Sequence, residues 1–569
     1  MKIKSDMKTV WAACLCLGMV FPACTDMMET DSTSVVFEEG NPLDSPNDSL
    51  YSVMGILSQV QRLGDRYVLM GELRGDLMEA TADADVDLQE ISNFEVSEDN
   101  AYASFHDYYN VINNCNYAIS RMDTSYVDYE DKVMLPEFAQ IKVLRAWTYW
   151  QLALATGRVS YIEEPVLSLE ASLRDYPQKS LEELAALLVE DLEPYVGVRA
   201  LDYGNVDGYM TSKMFLPVDM LLGDLYLFLN RYEEAAAAYY RLIEDRGLVM
   251  SSDNANMWAS AARTQFTRFT HLAAVAFSTE EVLSALVYSS DPLAYHPDLR
   301  RWTYNDVPSL VPAQTFVDDQ SHAMYFVSGG SQLVTDYLEG DLRGQAVLAN
   351  NAGVVAGAYG EMRLNNVQNT YIYKFANMNY DVVNGGQDPD NRVEGGALVL
   401  LRAQPVVRTP HVYLRMAEAL NRAGKPTMAF AVLKYGLNRT TLEDATRVDQ
   451  AERGEGWTDF TSDAFNNNVG SASRGRGNGV PYDKEYFIIP DFGEAGTKAD
   501  SIAFVEDCIV DELAAETCFE GNRFFDLIRV ARHRGEWPAY AARKVARRFG
   551  EDATRMEALL MDENNWFLK

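Results

Sequence analysis

Met220–Gly247, "MLLGDLYLFLNRYEEAAAAYYRLIEDRG", is the stretch on which the fold turns. It holds two apolar-periodic runs joined at an Asn-Arg turn, so it reads as a helical hairpin. Leu222 and Gly223, then Tyr226, fall on one run; Tyr232, Ala235 and Tyr239 fall on the other. Small residues at 223 and 235 let two antiparallel helices approach closely. The tyrosines fill the space between them.

These spacings are those of a tetratricopeptide unit. This set of matches exceeds what an ordinary amphipathic hairpin produces. Residues 413–438, "YLRMAEALNRAGKPTMAFAVLKYGLN", place Ala417, Gly424, Ala429 and Leu433 at equivalent positions; an ordinary hairpin would explain that weaker match as well. "VLRAWTYWQLALATG" (143–157), with Ala146 and Tyr149, reads as the first helix of a third unit. Its partner would be 180–196, opened by Ser180 with Glu183 three residues on, the pattern of a capping box. Residues 45–63 and 101–122 are further helices. Two regions interrupt the pattern. Residues 251–408 carry short β-like runs between Gly, Asn, Asp and Pro clusters, and residues 453–500 are rich in Gly and Asn. "SRGRGNG" (473–479) follows no apolar strand and reads as a loop. The expected fold is mainly α: a tetratricopeptide-like scaffold over about 45–250, 409–450 and 500–550. Its long insertions at 251–408 and 453–500 are where binding loops belong.

The chain of 569 residues carries 49 basic and 84 acidic groups, a formal charge of −35. Such a surface repels phosphate backbones and anionic lipid headgroups, which argues against nucleic acid and peripheral lipid binding. The N-terminus has Lys2, Lys4 and Lys8 ahead of an apolar run from Val10 to Phe21, too short to span a bilayer. "FPAC" then puts Ala23 directly before Cys24. This favours a lipoprotein signal (1–23) with Cys24 lipidated over an ordinary secretory signal. Residues 24–44 are acidic and aperiodic and read as a tether, which would reach roughly 60 Å when extended. Residues 45–569 form one domain. Of the remaining cysteines, Cys115, Cys508 and Cys518, two readings stand: buried free thiols, or a 115–518 disulfide.

The six histidines show no metal-ligand spacing, and no nucleophile-elbow, phosphate-loop or dinucleotide-binding glycine pattern occurs. No catalytic residue, metal or cofactor is nominated. A glycosidase needs only two carboxylates, and the sequence singles out no pair. The conspicuous charge cluster is "CFEGNRFFDLIRVARHRG" (518–535). Gly521 ends one helix and Asn522 is placed to cap the next. Phe524, Leu527, Ile528 and Ala531 form a buried stripe. Glu520, Arg523, Asp526 and Arg529 are expected to pair with one another or with nearby backbone.

The order of these pieces resembles the SusD/RagB family of Bacteroidetes surface lipoproteins. "SFHDYYNVINNCNYAI" (104–119), "VLRAWTYWQLALATGRVSYIEEPV" (143–166), "RTPHVYLRMAEALNRAGKPTMAFAVLKYGLNR" (408–439), "DELAAETCFEGNRFFDLIRV" (511–530) and "DENNWFLK" (562–569) resemble its segments in register. Val510-Asp511 departs from the usual Glu-Arg. The resemblance implies a SusD-like fold and an outer-membrane, lipid-anchored, outward-facing protein. It implies a partner, a SusC-like TonB-dependent transporter, and capture of oligosaccharide, or of peptide in RagB-like members, without catalysis. A surface glycan-active enzyme and a protein-binding adaptor are the competing classes.

Sugar faces stack on aromatic rings, and sugar hydroxyls are read by Asn, Asp and Arg. "SSDPLAYHPDLRRWTYND" (289–306) supplies the expected ligand-binding set: Tyr295, Arg301, Trp302, Tyr304 and Asn305, beside Asp298 and Arg300. Trp258 and Trp457 are further candidates, and the resemblance implies that the acidic loop 81–100 contributes binding residues. For any single aromatic, core packing is the competing reading. Asp83, Asp85 and Asp87 alternate but lack the glycine and closing Glu of a calcium loop.

Overall fold

The hairpin that opened the reading forms as two helices, Val218–Phe228 and Tyr232–Arg246. The computed structural model describes residues 45–250 (except 129 and 130), 281–321 (except 292 and 306), 401–476 and 487–568, with Leu43 and short segments between 324 and 398. Cys24, the tether before Leu43 and Trp258 lie outside the described residues. The close approach predicted at Gly223 is real: a Cβ there would stand 2.4 Å from the Tyr239 ring. Tyr239 is fully buried, and its hydroxyl donates to Asp224 at 2.6 Å. The second hairpin, Thr409–Arg422 and Pro426–Lys434, packs its first helix on Tyr232–Arg246. Gly424 takes φ +79° at the turn between its helices.

Leu135–Thr156 is buried on nearly all sides, more than the one-sided stripe its sequence suggests, because helices pack around it. Leu181–Leu192 is among them, and Ser180 and Glu183 make the reciprocal capping box. Arg145 donates to Asp191 (2.8 Å) and to Asn116 (3.0 Å), tying Leu135–Thr156 to Leu181–Leu192 and to His106–Arg121. The strands are short. Each sheet among the described residues has two, as in Val282–Val287 against Ala403–Arg408 and Tyr359–Leu364 against Val367–Ile372.

The insertions are fastened to the scaffold by buried charge. Glu512 and Glu516 project from Lys498–Thr517, and Glu520 follows it. Arg343 meets Asp341 (2.7 Å), Glu512 and Glu516. Arg408 meets Glu516 (3.1 Å), Glu520 (2.8 Å) and Glu281 (2.6 Å). Lys374 meets Glu520 at 2.5 Å. The expected loop at 473–479 is corrected at its start: Ser471–Arg476 is a short helix, and Arg474 pairs with Glu281 (2.8 Å) and Glu516 (3.1 Å). The cations around Glu516 hold its carboxyl well below the usual range despite burial. Removing one member would strand its partners in a low-dielectric interior.

The 518–535 cluster is likewise scaffold: Arg529 and Asp526 pair within it as expected, but its other ion-pair partners lie far away in sequence. Arg523 grips Asp76 (2.6 Å), and Arg529 pairs with Glu418 (2.7 Å) and Asp526 (3.0 Å). Asp526 also meets Arg415 at 2.6 Å. Asn522 does not cap Arg523–His533 with its side chain; Glu72 accepts the backbone N–H groups there instead. Cys115 and Cys518 are free thiols, so no 115–518 disulfide forms. Burial pushes Cys115 and Cys518 up to about 12.

Candidate functional site

Two candidate segments, 289–306 chosen from composition and 81–100 from the family resemblance, leave the scaffold side by side. Met78–Ala80 pairs antiparallel with Leu310–Pro312. Just beyond, Thr81 donates its backbone N–H to Ser309 O and its hydroxyl to Pro308 O, both at 2.9 Å. The acidic loop therefore departs from one strand where the aromatic segment arrives at the other.

The base is a two-residue clasp on the short helix Gly64–Val68. Asp65 accepts the backbone N–H of Asp298 (3.0 Å) and the hydroxyl of Tyr295 (3.1 Å). Its neighbour Arg66 donates to Asp107 (2.6 Å) and to Ala101 O (3.2 Å). One dipeptide thus holds the aromatic segment with its acid and the end of the acidic loop with its base. Burial pushes Asp65 up to about 6, although its hydrogen bonds favour the ionised form. Neither residue was selected from sequence. The available signal was a charged pair set in the apolar run "ILSQVQRLGDRYVLM".

Of the predicted residues, Tyr295 is half-buried, its ring tilted against Tyr288. Arg301 is the most open, 67% exposed, and pairs with Asp298 at 2.9 Å. Asn305 is half-buried; its amide donates to Arg301 O and accepts the N–H of Val307 (2.7 Å), so it shapes the turn. Trp302 and Tyr304, expected to face ligand, are buried. Leu299–Thr303 forms a single helical turn that directs Leu299, Trp302 and Thr303 inward and Arg301 outward. Trp302 meets the edge of Tyr102 at 5.5 Å, and Tyr304 meets Tyr371 at 5.6 Å. These rings take their stacking partners from the protein. Tyr102, half-buried beside the segment, is an aromatic the sequence reading did not select.

Asp85 caps Val86–Asn93 by accepting the N–H of Leu88 at 2.9 Å, while Asp83 stays exposed. Trp457 sits on the second hairpin, with Lys425 5.4 Å from its ring. What emerges at 289–307 is a polar rim: Arg301, Asp298 and Tyr295 at the surface over an aromatic base. Such a rim can bind hydroxyl-rich ligands.

Residues 348–565 match the SusD family. Solved structures share the fold at low identity. A SusD superfamily protein from Bacteroides vulgatus ATCC 8482 superposes with TM-score 0.56 at 12% identity, covering 92% of this chain and 91% of that one. A second from the same strain gives 0.52 at 16%, covering 86% and 89%. A SusD-like carbohydrate binding protein from Bacteroides fragilis NCTC 9343 gives 0.51 at 14%, covering 86% and 87%. No curated relative matches the chain.

Proposed function

We propose that this chain, which shares the fold of SusD superfamily structures and matches the SusD family over 348–565, is a cell-surface nutrient-binding lipoprotein. It captures oligosaccharide for import through a SusC-like TonB-dependent transporter and performs no chemistry on it. Cys24 carries the lipid, and residues 25–44 form the tether. The observation that carries the reading is the juxtaposition of 81–107 with 289–307, clasped by Asp65 and Arg66. Tyr295, Arg301 and Asp298 present a ring and both hydrogen-bond polarities on one rim. Trp258, at the start of the same insertion, is assigned to the site as well.

The relative described as carbohydrate binding supports a sugar ligand over a peptide. The test is a glycan array with the soluble form lacking residues 1–24, followed by titration of the hits. Saturable binding with the glycan recovered intact is expected. Shortened product would make the protein an enzyme; exclusive binding of peptides would replace the ligand class. Cys24→Ala is expected to move the full chain from the membrane to the soluble fraction.

A further inference from the structure

The strap between Tyr161 and Tyr176 shows three leucines to solvent. Leu167 is 52% exposed, and Leu169 and Leu173 are each 76% exposed. A single exposed leucine is ordinary, but three within seven residues mark a candidate contact surface. The strap is held in place. Val166 donates its N–H to Asn113 Oδ1 (2.6 Å), and Asn113 Nδ2 donates to Val166 O (3.2 Å). The Tyr149 hydroxyl bonds both backbone groups of Ile162 at 2.8 Å. At the far end, Tyr176 donates to Ala171 O at 2.9 Å.

Its surroundings narrow the partner. Glu163, Glu164, Glu170 and Asp175 are all exposed around the leucines, and among the described residues none of the four is in an ion pair. Only Arg174 opposes them within the strap. This acidic border would be repelled by anionic lipid headgroups and fits a protein surface with basic side chains.

Its position supplies the second argument. Asn113, which pins the strap, lies nine residues before Met122 at the end of His106–Arg121, about 13 Å along the helix. Met122 bridges to Leu43, where the chain enters from the tether. The strap is therefore pinned at the middle of that helix, about 13 Å along its axis from the point where the tether enters. Eighteen residues lie between Cys24 and Leu43, a reach of roughly 60 Å at full extension.

We propose that residues 163–176 are a docking strap that seats Leu167, Leu169 and Leu173 in an apolar groove, bordered by basic side chains, on the membrane-embedded transporter. The proposal rests on the lipid-anchored, transporter-partnered reading above.

The experiment uses the full-length, tagged, membrane-anchored protein, with co-purified barrel identified by mass spectrometry. In Leu167→Ser/Leu169→Ser/Leu173→Ser, recovered barrel should fall at least tenfold. Membrane fractionation should not change, nor should the glycan affinity and melting temperature of the soluble form. Glu163→Lys/Glu164→Lys/Glu170→Lys should reproduce the loss. Undiminished barrel recovery with the leucine variant would overturn the strap and leave the partnership standing. No barrel with the wild type would overturn the partnership and the strap with it. Leucine-dependent binding of the soluble form to phosphatidylethanolamine–phosphatidylglycerol vesicles would assign the strap to lipid. Leucine-dependent dimers in sedimentation would assign it to a second copy. Either result would overturn the proposal.

Discussion

Glu72 accepts the backbone N–H of Gly521, 449 positions later, at 2.8 Å, so a carboxyl near the start of the domain caps the helix that begins at Arg523. The same oxygen takes the N–H of Asn522 at 3.0 Å, while Oε2 has no partner among the described residues. The two backbones nearly touch: a Cβ on Gly71 would fall 1.9 Å from Gly521 O, and Gly521 itself takes φ +88°.

Burial pushes Glu72 up to about 8, outweighing the backbone hydrogen bonds that favour the carboxylate. The folded-state value lies above the unfolded one, so this group's contribution to stability is present at low pH and lost as pH rises through about 8. Glu72→Gln copies the protonated form. Between pH 7 and 9 the wild type should lose about 1.4 kcal/mol relative to Glu72→Gln, the integral of one proton over roughly one pH unit. Urea unfolding of both proteins at the two pH values measures it; a constant difference would refute a protonated Glu72.

Gly223→Ala should destabilise the first hairpin by about 1–3 kcal/mol, because the added methyl must displace the Tyr239 ring from a filled core. Its contact with that ring would be 2.4 Å. Denaturant midpoints check this, and an unchanged midpoint would mean that the hairpin opens without cost.

Arg523→Ala should cost about 3–5 kcal/mol, since it leaves Asp76 without its buried partner. Arg523 also donates to Val510 O at 2.8 Å, so a helix junction loosens as well. Once folded, at low temperature, the variant should bind glycan as the wild type does. A stable Arg523→Ala protein that has lost only its ligand would place the 518–535 cluster in the binding site.

Adjacent residues should separate affinity from stability. Arg301→Ala is expected to weaken glycan binding about tenfold, the loss of about 1.4 kcal/mol, with an unchanged melting temperature. Trp302→Ala is expected to cost about 3–5 kcal/mol of stability through the cavity it leaves. Titration and thermal unfolding of the pair distinguish them; similar effects from both would mean that Trp302 reaches ligand.

The scaffold was legible because its information is local. Gly223, Ala235 and Tyr239 recur at fixed spacings, and Ser180 with Glu183 announces its own helix start. The rim was legible only in composition. Its segments were identifiable, but not the Thr81–Ser309 contact or the Asp65 clasp, which join residues more than 200 positions apart. Within 289–306, the i, i+3 spacing of Leu299 and Trp302 already indicated an inward face, and it outweighs the appeal of a tryptophan near ligand-type residues. "SRGRGNG" was misread at its start because Glu281 and Glu516, rather than neighbouring residues, decide where Arg474 goes.

The charge cluster around Glu516 also sets a timetable. Arg343, Lys374 and Arg408 all precede Glu512, Glu516 and Glu520 in the chain, and Arg408 comes 112 positions before Glu520. At synthesis rates of 5–20 residues per second, Arg408 waits roughly 6–20 s for that partner. The insertion can be threaded and loosely collapsed in that interval, but it cannot lock. Completion of the C-terminal helices is the event that closes the molecule, and a chain truncated before Glu512 would emerge with Arg343 and Arg408 holding only Asp341 and Glu281.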